Sequence, residues 1–362
     1  MKISRVVTEL DFGGVEQVLA NSLPQLVKMT GVDVHVIVLG KGGRVSALLK
    51  SQGVSVEILN FNPRIPNFKL LLKLRKVFQH NRPDVIHCQG SEANFHGILA
   101  GWLANVPRIF GEEIGIPNHH GFWKYLFRWV YRKADQVIAI SEAVKESIVA
   151  LGEVDAGKVQ VIYNPIAQRI FKQGANGNYR KKEETGFRFV TTCRLVPIKN
   201  LERLIRAFLR LADSNPSLHL YLDIVGEGPD RVKLERLAAD SGYGNRIRFW
   251  GFQEDVFPFL RNADVFVLPS LREGSSVALA EAMAIGLPSL VTEVGGAGEV
   301  LGNSDAGMLV NPLDESEILR GMQQFLQLGE ERLKEMGNRA VAESKRFYPE
   351  AYNQSLLAVY NQ

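Results

Sequence analysis

Glu273 and Glu281 stand eight positions apart in the stretch REGSSVALAEAMAIGLP. Glu273 falls in a loop after the apolar run ADVFVLPS, and Glu281 lies inside the helix that SSVALAEAMA predicts. One carboxylate is then held at the mouth of a pocket, and the other lies deeper along a helix that rises about 1.5 Å per residue. Between them the helix start at Ser275, Ser276 and Val277 offers free backbone N–H groups, which suit an anion. A loop acid, an anion-binding helix start and a helix acid could together hold a sugar, a phosphate and a ribose. The plainer alternative is two solvated surface charges.

Arg194 and Lys199 bracket the turn between the apolar run RFVTTC and the helical pattern NLERLIRAF. Two cations at a strand end suit a diphosphate, because Arg grips two oxygens in a fork and Lys supplies a movable point charge. Gly226-Glu227-Gly228 opens like a dinucleotide fingerprint, but Arg231 occupies the place of the third glycine. A tight turn beside a nucleotide base is expected there rather than a nicotinamide site. Gly13 and Gly14 follow the first strand, where a missing Cβ either lets backbone approach a phosphate or simply allows a tight turn. Gly295-Gly296 with Glu299 forms another small-residue turn on the same rim. The chain contains no Asp-x-Asp and no Cys/His cluster at metal-ligand spacing. Arg, Lys and helix dipoles would then balance the diphosphate charge, and neither a metal nor a cofactor is expected.

Glu112 and Glu113 end the run PRIFGEE, His87 ends PDVIHC, and His119 and His120 lie in a Gly/Pro loop. Adjacent carboxylates at a strand end suit a functional cleft better than an interior, where an unpaired charge is costly. His87 is either a satisfied core residue or a cleft group. Glu112 and His119 are candidates to face an acceptor.

Strand and helix patterns alternate almost from end to end, and near-continuous Val/Ile runs point to parallel strands covered on both faces. The polar, basic stretch FKQGANGNYRKKEETG reads as a linker, and a second series begins at GFRFVTTCRL. The fold class is therefore α/β, with two Rossmann-like doubly wound domains facing across a cleft. Residues 1–168 form the first and 169–345 the second. Strand order puts Arg194, Lys199, Gly226, Glu273 and Glu281 on one rim of the second sheet, where ligands of such sheets bind.

The formal net charge of +4 over 362 residues is too small to argue nucleic-acid binding, yet it permits an anionic substrate or membrane surface. With two cysteines, no signal-peptide pattern and no run of 18 apolar residues, a reduced cytoplasmic protein is expected. The segment 121–133, GFWKYLFRWVYRK, has six aromatics, four cations and no acid. Lys124, Arg128 and Arg132 share one helical stripe, with Phe122, Tyr125 and Trp129 on a neighbouring one. Such a helix either lies on an anionic membrane or fills the core with its aromatics.

As a set, the Gly-Gly turn, CRLVPIKNLERLIRAF, VGEGP, RIRFWGF, ADVFVLPS, EGSSVALAEAMA, GLPSLVTEVGG and the tail helix resemble a retaining glycosyltransferase of family 4, with the GT-B fold. The resemblance runs nearly the whole length and is densest from Gly186 to Glu299. It implies a nucleoside-diphosphate sugar donor, such as a UDP- or GDP-sugar, and a glycan or lipid-linked acceptor. It also implies a place in bacterial surface polysaccharide or lipopolysaccharide assembly, at the inner face of the plasma membrane. By the same resemblance Arg194 and Lys199 hold the donor diphosphate, Glu281 the ribose and Glu273 the sugar hydroxyls. Gly14 approaches the phosphate, and the last helix, 346–362, returns to the first domain. Many relatives carry a His where Glu113 stands, so Glu113 becomes the candidate to hold the sugar or the acceptor nucleophile. Ser275-Ser276 also departs from the family pattern, which leaves the donor sugar open, and Tyr163-Asn164-Pro165 replaces the more frequent Asn-Gly at the domain hinge. A nucleotide-sugar epimerase and a non-catalytic nucleotide-sugar binder are the alternative readings.

Overall fold

A computed structural model describes residues 1–11, 13–117, 119–170 and 186–362. All of the stretch read as a linker, apart from its last glycine, lies outside the described residues. The chain divides into two compact units: Met1–Ala167 with Phe347–Gln362, and Gln168–Arg346.

The first unit contains β1 (Lys2–Val7), β2 (Asp33–Val38), β3 (Ser55–Ile58), β4 (Val85–Gln89), β5 (Arg108–Glu113), β6 (Gln136–Ala139) and β7 (Val159–Val161). They form one parallel sheet in the order β3-β2-β1-β4-β5-β6-β7. Every residue of β4 is buried, as expected of a strand covered on both faces. Helices Phe68–Asn81, Ser91–Leu103 and Phe122–Tyr131 bury their apolar stripes in one core. Helices Gly14–Leu26 and Pro349–Tyr360 bury theirs in another. The two cores form because the sheet is apolar on both sides. Parallel neighbours need a crossover, usually helical. That requirement explains the helix Arg44–Ser51 between β2 and β3, which strand and turn signals alone do not mark.

The second unit contains β8 (Phe187–Thr192), β9 (Leu220–Val225), β10 (Ile247–Phe249), β11 (Val265–Leu268), β12 (Ser289–Thr292) and β13 (Gly307–Val310). Its parallel sheet runs β10-β9-β8-β11-β12-β13. Helix Leu201–Ser214 packs on it through Leu201, Leu204, Ile205, Phe208 and Leu211, a stripe of helical period. Both units are thus doubly wound and Rossmann-like. Strand order reverses between β1 and β4 in one and between β8 and β11 in the other, and ligands of such sheets bind beyond the carboxyl ends at that point.

The last helix, Pro349–Tyr360, belongs to the first unit. Asn353 Nδ2 donates to Ser22 O at 3.1 Å, and Gln25 Nε2 donates to Glu350 Oε1 at 2.9 Å.

Candidate active site

In the second unit, loops from the carboxyl ends of β8, β9, β11 and β12 are joined by backbone hydrogen bonds. Cys193 N donates to Val225 O at 3.0 Å, Leu195 N to Glu227 O at 2.9 Å, Leu271 N to Ile198 O at 2.8 Å, and Gly296 N to Glu273 O at 3.1 Å. Two glycines permit the first pair of contacts. A Cβ on Gly226 would stand 1.8 Å from Cys193 O, and one on Gly228 would stand 2.3 Å from Leu195 O. Gly226 also has φ 144°, which L side chains rarely adopt. Arg194, between the joined residues, is exposed, and its side chain has no ion-pair partner among the described residues. The Glu227 carboxylate is engaged by Arg231 at 2.5 Å.

Lys199 closes the short 3-10 turn Pro197–Lys199, and Asn200 follows at φ 55°. The buried Asn200 amide donates to Pro269 O and Pro312 O, both at 3.0 Å, and so ties this turn to the loop after β11. Lys199 Nζ lies 2.5 Å from Glu273 Oε1, which also accepts from Ser270 Oγ at 2.7 Å. Glu273 is only 7% exposed, so its carboxylate needs these donors. Ser276 caps the helix Val277–Ala284, its hydroxyl accepting from Leu279 N at 3.2 Å. Ser275 and Val277 flank the cap half-buried, and Glu281 is half-buried further along the same helix. Lys199 and Glu273 are therefore in contact, and the cap begins three residues after Glu273. Ser270 and Asn200, which complete the arrangement, carry no sequence signal. The role of Asn200 depends on segments about seventy residues apart meeting in space, whereas Ser270 reaches Glu273 within its own loop.

In the first unit β5 ends in two acids, and successive strand side chains point to opposite faces. Glu113 faces helices Ser91–Leu103 and Phe122–Tyr131. Tyr131 Oη donates to Glu113 Oε1, while Asn94 Nδ2 donates to Tyr131 Oη at 3.0 Å and to Glu112 O at 2.9 Å. Burial is the main reason the Glu113 carboxyl is pushed up to about 7; the Glu153 charge adds to it, and Tyr131 and His119 oppose it. His119 Nδ1 lies 2.8 Å from Glu153 Oε1, and its ring stacks on Phe127 at 4.2 Å with 6° between planes. Burial works against the charged imidazole, but Glu153 and then Glu113 raise its pKa on balance. An acid that exchanges its proton near neutral pH is suited to general acid–base work. Sequence reasoning passed over Tyr131 and Glu153: one sits in an aromatic helix and the other in a turn.

Glu112 lies on the opposite face; burial corrects the expectation that it faces an acceptor, and of the two readings of His87 it favours the core residue over the cleft group. His87 is completely buried and Glu112 is 1% exposed. His87 Nε2 lies 2.7 Å from Glu112 Oε2, and buried Arg5 lies 3.8 Å from the same oxygen. Tyr360 Oη is 2.5 Å from His87 Nδ1. Burial, then the Arg5 charge, pushes His87 down to about 4. Burial thus favours the uncharged ring, whose Nδ1 faces Tyr360 Oη and whose Nε2 faces Glu112. Burial opposes ionisation of Glu112, but His87 and Arg5 together hold its carboxyl below the ordinary value. Register explains the cluster: Arg5, His87 and Phe110 are neighbours across β1, β4 and β5, and Glu112 lies two residues on, on the same face.

Gly14 opens the helix Gly14–Leu26, and a Cβ there would meet nothing within 4 Å. Helix Phe122–Tyr131 has two faces. Phe127 and Tyr131 are buried, whereas Phe122, Tyr125 and Trp129 are 71%, 65% and 46% exposed. Core filling therefore accounts for only two of its aromatics.

Comparison with known proteins gives two family matches: glycosyl transferases group 1 over residues 186–328, and glycosyltransferase family 4 over residues 12–168. The chain is 26% identical to the UDP-Gal:alpha-D-GlcNAc-diphosphoundecaprenol alpha-1,3-galactosyltransferase of Escherichia coli, over 71% of this chain and 70% of that protein. It is 25% identical to the N-acetylgalactosamine-N,N'-diacetylbacillosaminyl-diphospho-undecaprenol 4-alpha-N-acetylgalactosaminyltransferase of Campylobacter jejuni, over 96% of this chain and 95% of that one. Among solved structures, HepE of Anabaena in complex with UDP superimposes over 100% of both chains, with a TM-score of 0.83 at 20% identity.

Proposed function

The chain belongs to the family 4, group 1 glycosyltransferases of GT-B fold, and from that premise we propose a retaining transfer from a nucleoside-diphosphate sugar to a lipid-linked or glycan acceptor. The setting proposed is bacterial surface polysaccharide assembly on the cytoplasmic side of the membrane. The observation that carries this reading is the Lys199–Glu273 contact on the same rim as exposed Arg194, at the strand-order reversal of the second sheet. The UDP bound to HepE supports a nucleotide donor, and the diphosphoundecaprenol acceptors named for the two relatives support a lipid-linked one.

Breaking the sugar–phosphate bond develops negative charge on the departing diphosphate. Arg194, Lys199 and the helix start at Ser276 would stabilise that charge without reorganisation, and one preorganised donor of this type is worth about 3–4 kcal/mol. Glu273 already accepts from Lys199 and Ser270. A sugar hydroxyl would replace Lys199 as donor when the ammonium turns toward phosphate. Glu281 would bond the ribose, and the turn at Gly226-Glu227 would lie beside the base. Gly14, where no packing demands a glycine, would leave room for a phosphate. Retention follows if the acceptor attacks from the face the diphosphate leaves, with that phosphate accepting the acceptor proton. No enzyme nucleophile is then required. Glu113 is only 3% exposed and accepts from Tyr131, so by the same burial that removes Glu112 it is not given contact with the acceptor hydroxyl or the sugar.

A thermal-shift panel with UDP, GDP, ADP and TDP tests the donor site. The matching nucleotide at 100 times its dissociation constant adds roughly 2.7 kcal/mol. With the matching sugar nucleotide, Lys199→Ala lowers turnover by roughly two to three orders of magnitude while the folded spectrum is retained. Isomerised sugar in a donor-only assay identifies an epimerase instead. Wild-type turnover in the Lys199→Ala protein ends the assignment.

A further inference from the structure

Helices Phe68–Asn81 and Phe122–Tyr131 belong to one helical layer of the first unit, and both pack on Ser91–Leu103 between them. Their outward faces share an unusual chemistry. On the first, Phe68 and Leu72 are 71% and 53% exposed, and Lys69, Lys73 and Lys76 are exposed beside them, all within one helical face. On the second, Phe122, Tyr125 and Trp129 are exposed with Arg128 and Arg132. The middle helix adds exposed Trp102 and Leu103 at its end, and Lys133 lies over the Trp102 ring at 4.3 Å.

Acids are missing from both segments. No Asp or Glu occurs from residue 58 to 83 or from 114 to 134. The first interval holds Arg64, Lys69, Lys73, Arg75, Lys76 and Arg82; the second holds Lys124, Arg128, Arg132 and Lys133. No ion pair engages any of these ten cations among the described residues. A chain with a net charge of only +4 therefore gathers uncompensated positive charge on one side of one unit.

We propose that this helical layer docks on an anionic lipid bilayer, an interaction that does not depend on sugar transfer. A polyanion would match the charges but offers no phase for the exposed apolar side chains. A bilayer surface offers both: anionic headgroups for Lys and Arg, and the acyl boundary for Phe, Leu and Trp. Trp and Tyr favour that interface because their rings are apolar with one polar edge. The surface is two exposed helix faces rather than a groove lined with stacking rings, which argues against single-stranded nucleic acid. Among the described residues no helix is long and apolar enough to cross a membrane, so the contact proposed is peripheral.

Flotation of the full-length protein with phosphatidylcholine vesicles, with and without phosphatidylglycerol, tests the proposal. Binding is expected only to the phosphatidylglycerol vesicles at low ionic strength, with release as salt is raised. Tryptophan emission should shift to the blue on binding, since Trp102, Trp123 and Trp129 are three of the chain's four tryptophans. Lys69→Glu with Lys73→Glu, and separately Arg128→Glu with Arg132→Glu, should each lower the partition coefficient more than tenfold. Each basic side chain near an anionic surface contributes a factor of about five. All four positions are exposed, so the variants should keep the wild-type circular dichroism and melting curve. Equal flotation with neutral vesicles, flotation that neither pair reduces, or retention on heparin without vesicle binding overturns the proposal.

Discussion

A proton separates the two acids that end β5. Glu112, beside Arg5 and His87, is held ionised, whereas Glu113, beside Tyr131, is pushed up to about 7. The raised value carries a definite sign for stability. Below the ordinary glutamate value of 4.5 both folded and unfolded chains hold the proton, and the favourable contribution of the neutral carboxyl is fully present. Between 4.5 and about 7 only the folded chain holds it, so this contribution is lost as pH rises through that window. Glu113→Gln keeps a neutral side chain and should flatten the dependence. Relative to that variant, wild type should lose stability by up to about 1.4 kcal/mol per pH unit across the window. Urea unfolding at about pH 5 and about pH 7.5 reads the difference. A constant offset between the two proteins would mean that Glu113 is not neutral in the folded interior.

At the level of elements, the two glycine turns make opposite demands. At Gly226 a methyl group would enter the Cys193 carbonyl, and the backbone has positive φ, so Gly226→Ala should cost roughly 2–4 kcal/mol of stability. At Gly14 a methyl group meets open space at a helix start, so Gly14→Ala should melt within a degree or two of wild type. If Gly14 approaches the donor phosphate, that same variant loses donor affinity with its stability intact. Calorimetry paired with nucleotide titration distinguishes the two positions. The sheets were legible in the sequence because buried parallel strands leave Val/Ile runs that alternate with helical stripes. The loops bearing Arg194, Lys199 and Glu273 were legible because each follows such a run. The Lys199–Glu273 contact was not, because it needs the Asn200 amide to tie two distant loops together. Likewise nothing in PDVIHC alone says that His87 will meet Tyr360, a contact spanning 273 positions.

At the scale of the whole molecule, that long-range contact belongs to the buried cluster that fastens the chain's last helix to the sheet of the first unit. Tyr360 reaches His87, its carbonyl accepts from Arg108, and Arg5 and Glu112 complete the group. Such a cluster is costly to break from one side. Arg5→Met should destabilise the protein by about 3–5 kcal/mol by leaving the Glu112 charge uncompensated, and Arg5→Met with Glu112→Leu should recover much of that loss. Denaturant midpoints of the single and double variants measure both, and equal midpoints would show that the pair is not coupled.

The side-by-side acids also bear on how this strand can change over time. Inserting or deleting one residue within β5 would turn each carboxylate to the other side of the sheet. After an insertion ahead of the pair, Glu112 would take the tyrosine-lined place and no acid would stand beside Arg5; after a deletion, Glu113 would take the place beside Arg5 and Tyr131 would face no acid. The electrostatics of the strand, as much as its apolar alternation, therefore selects against length variation there.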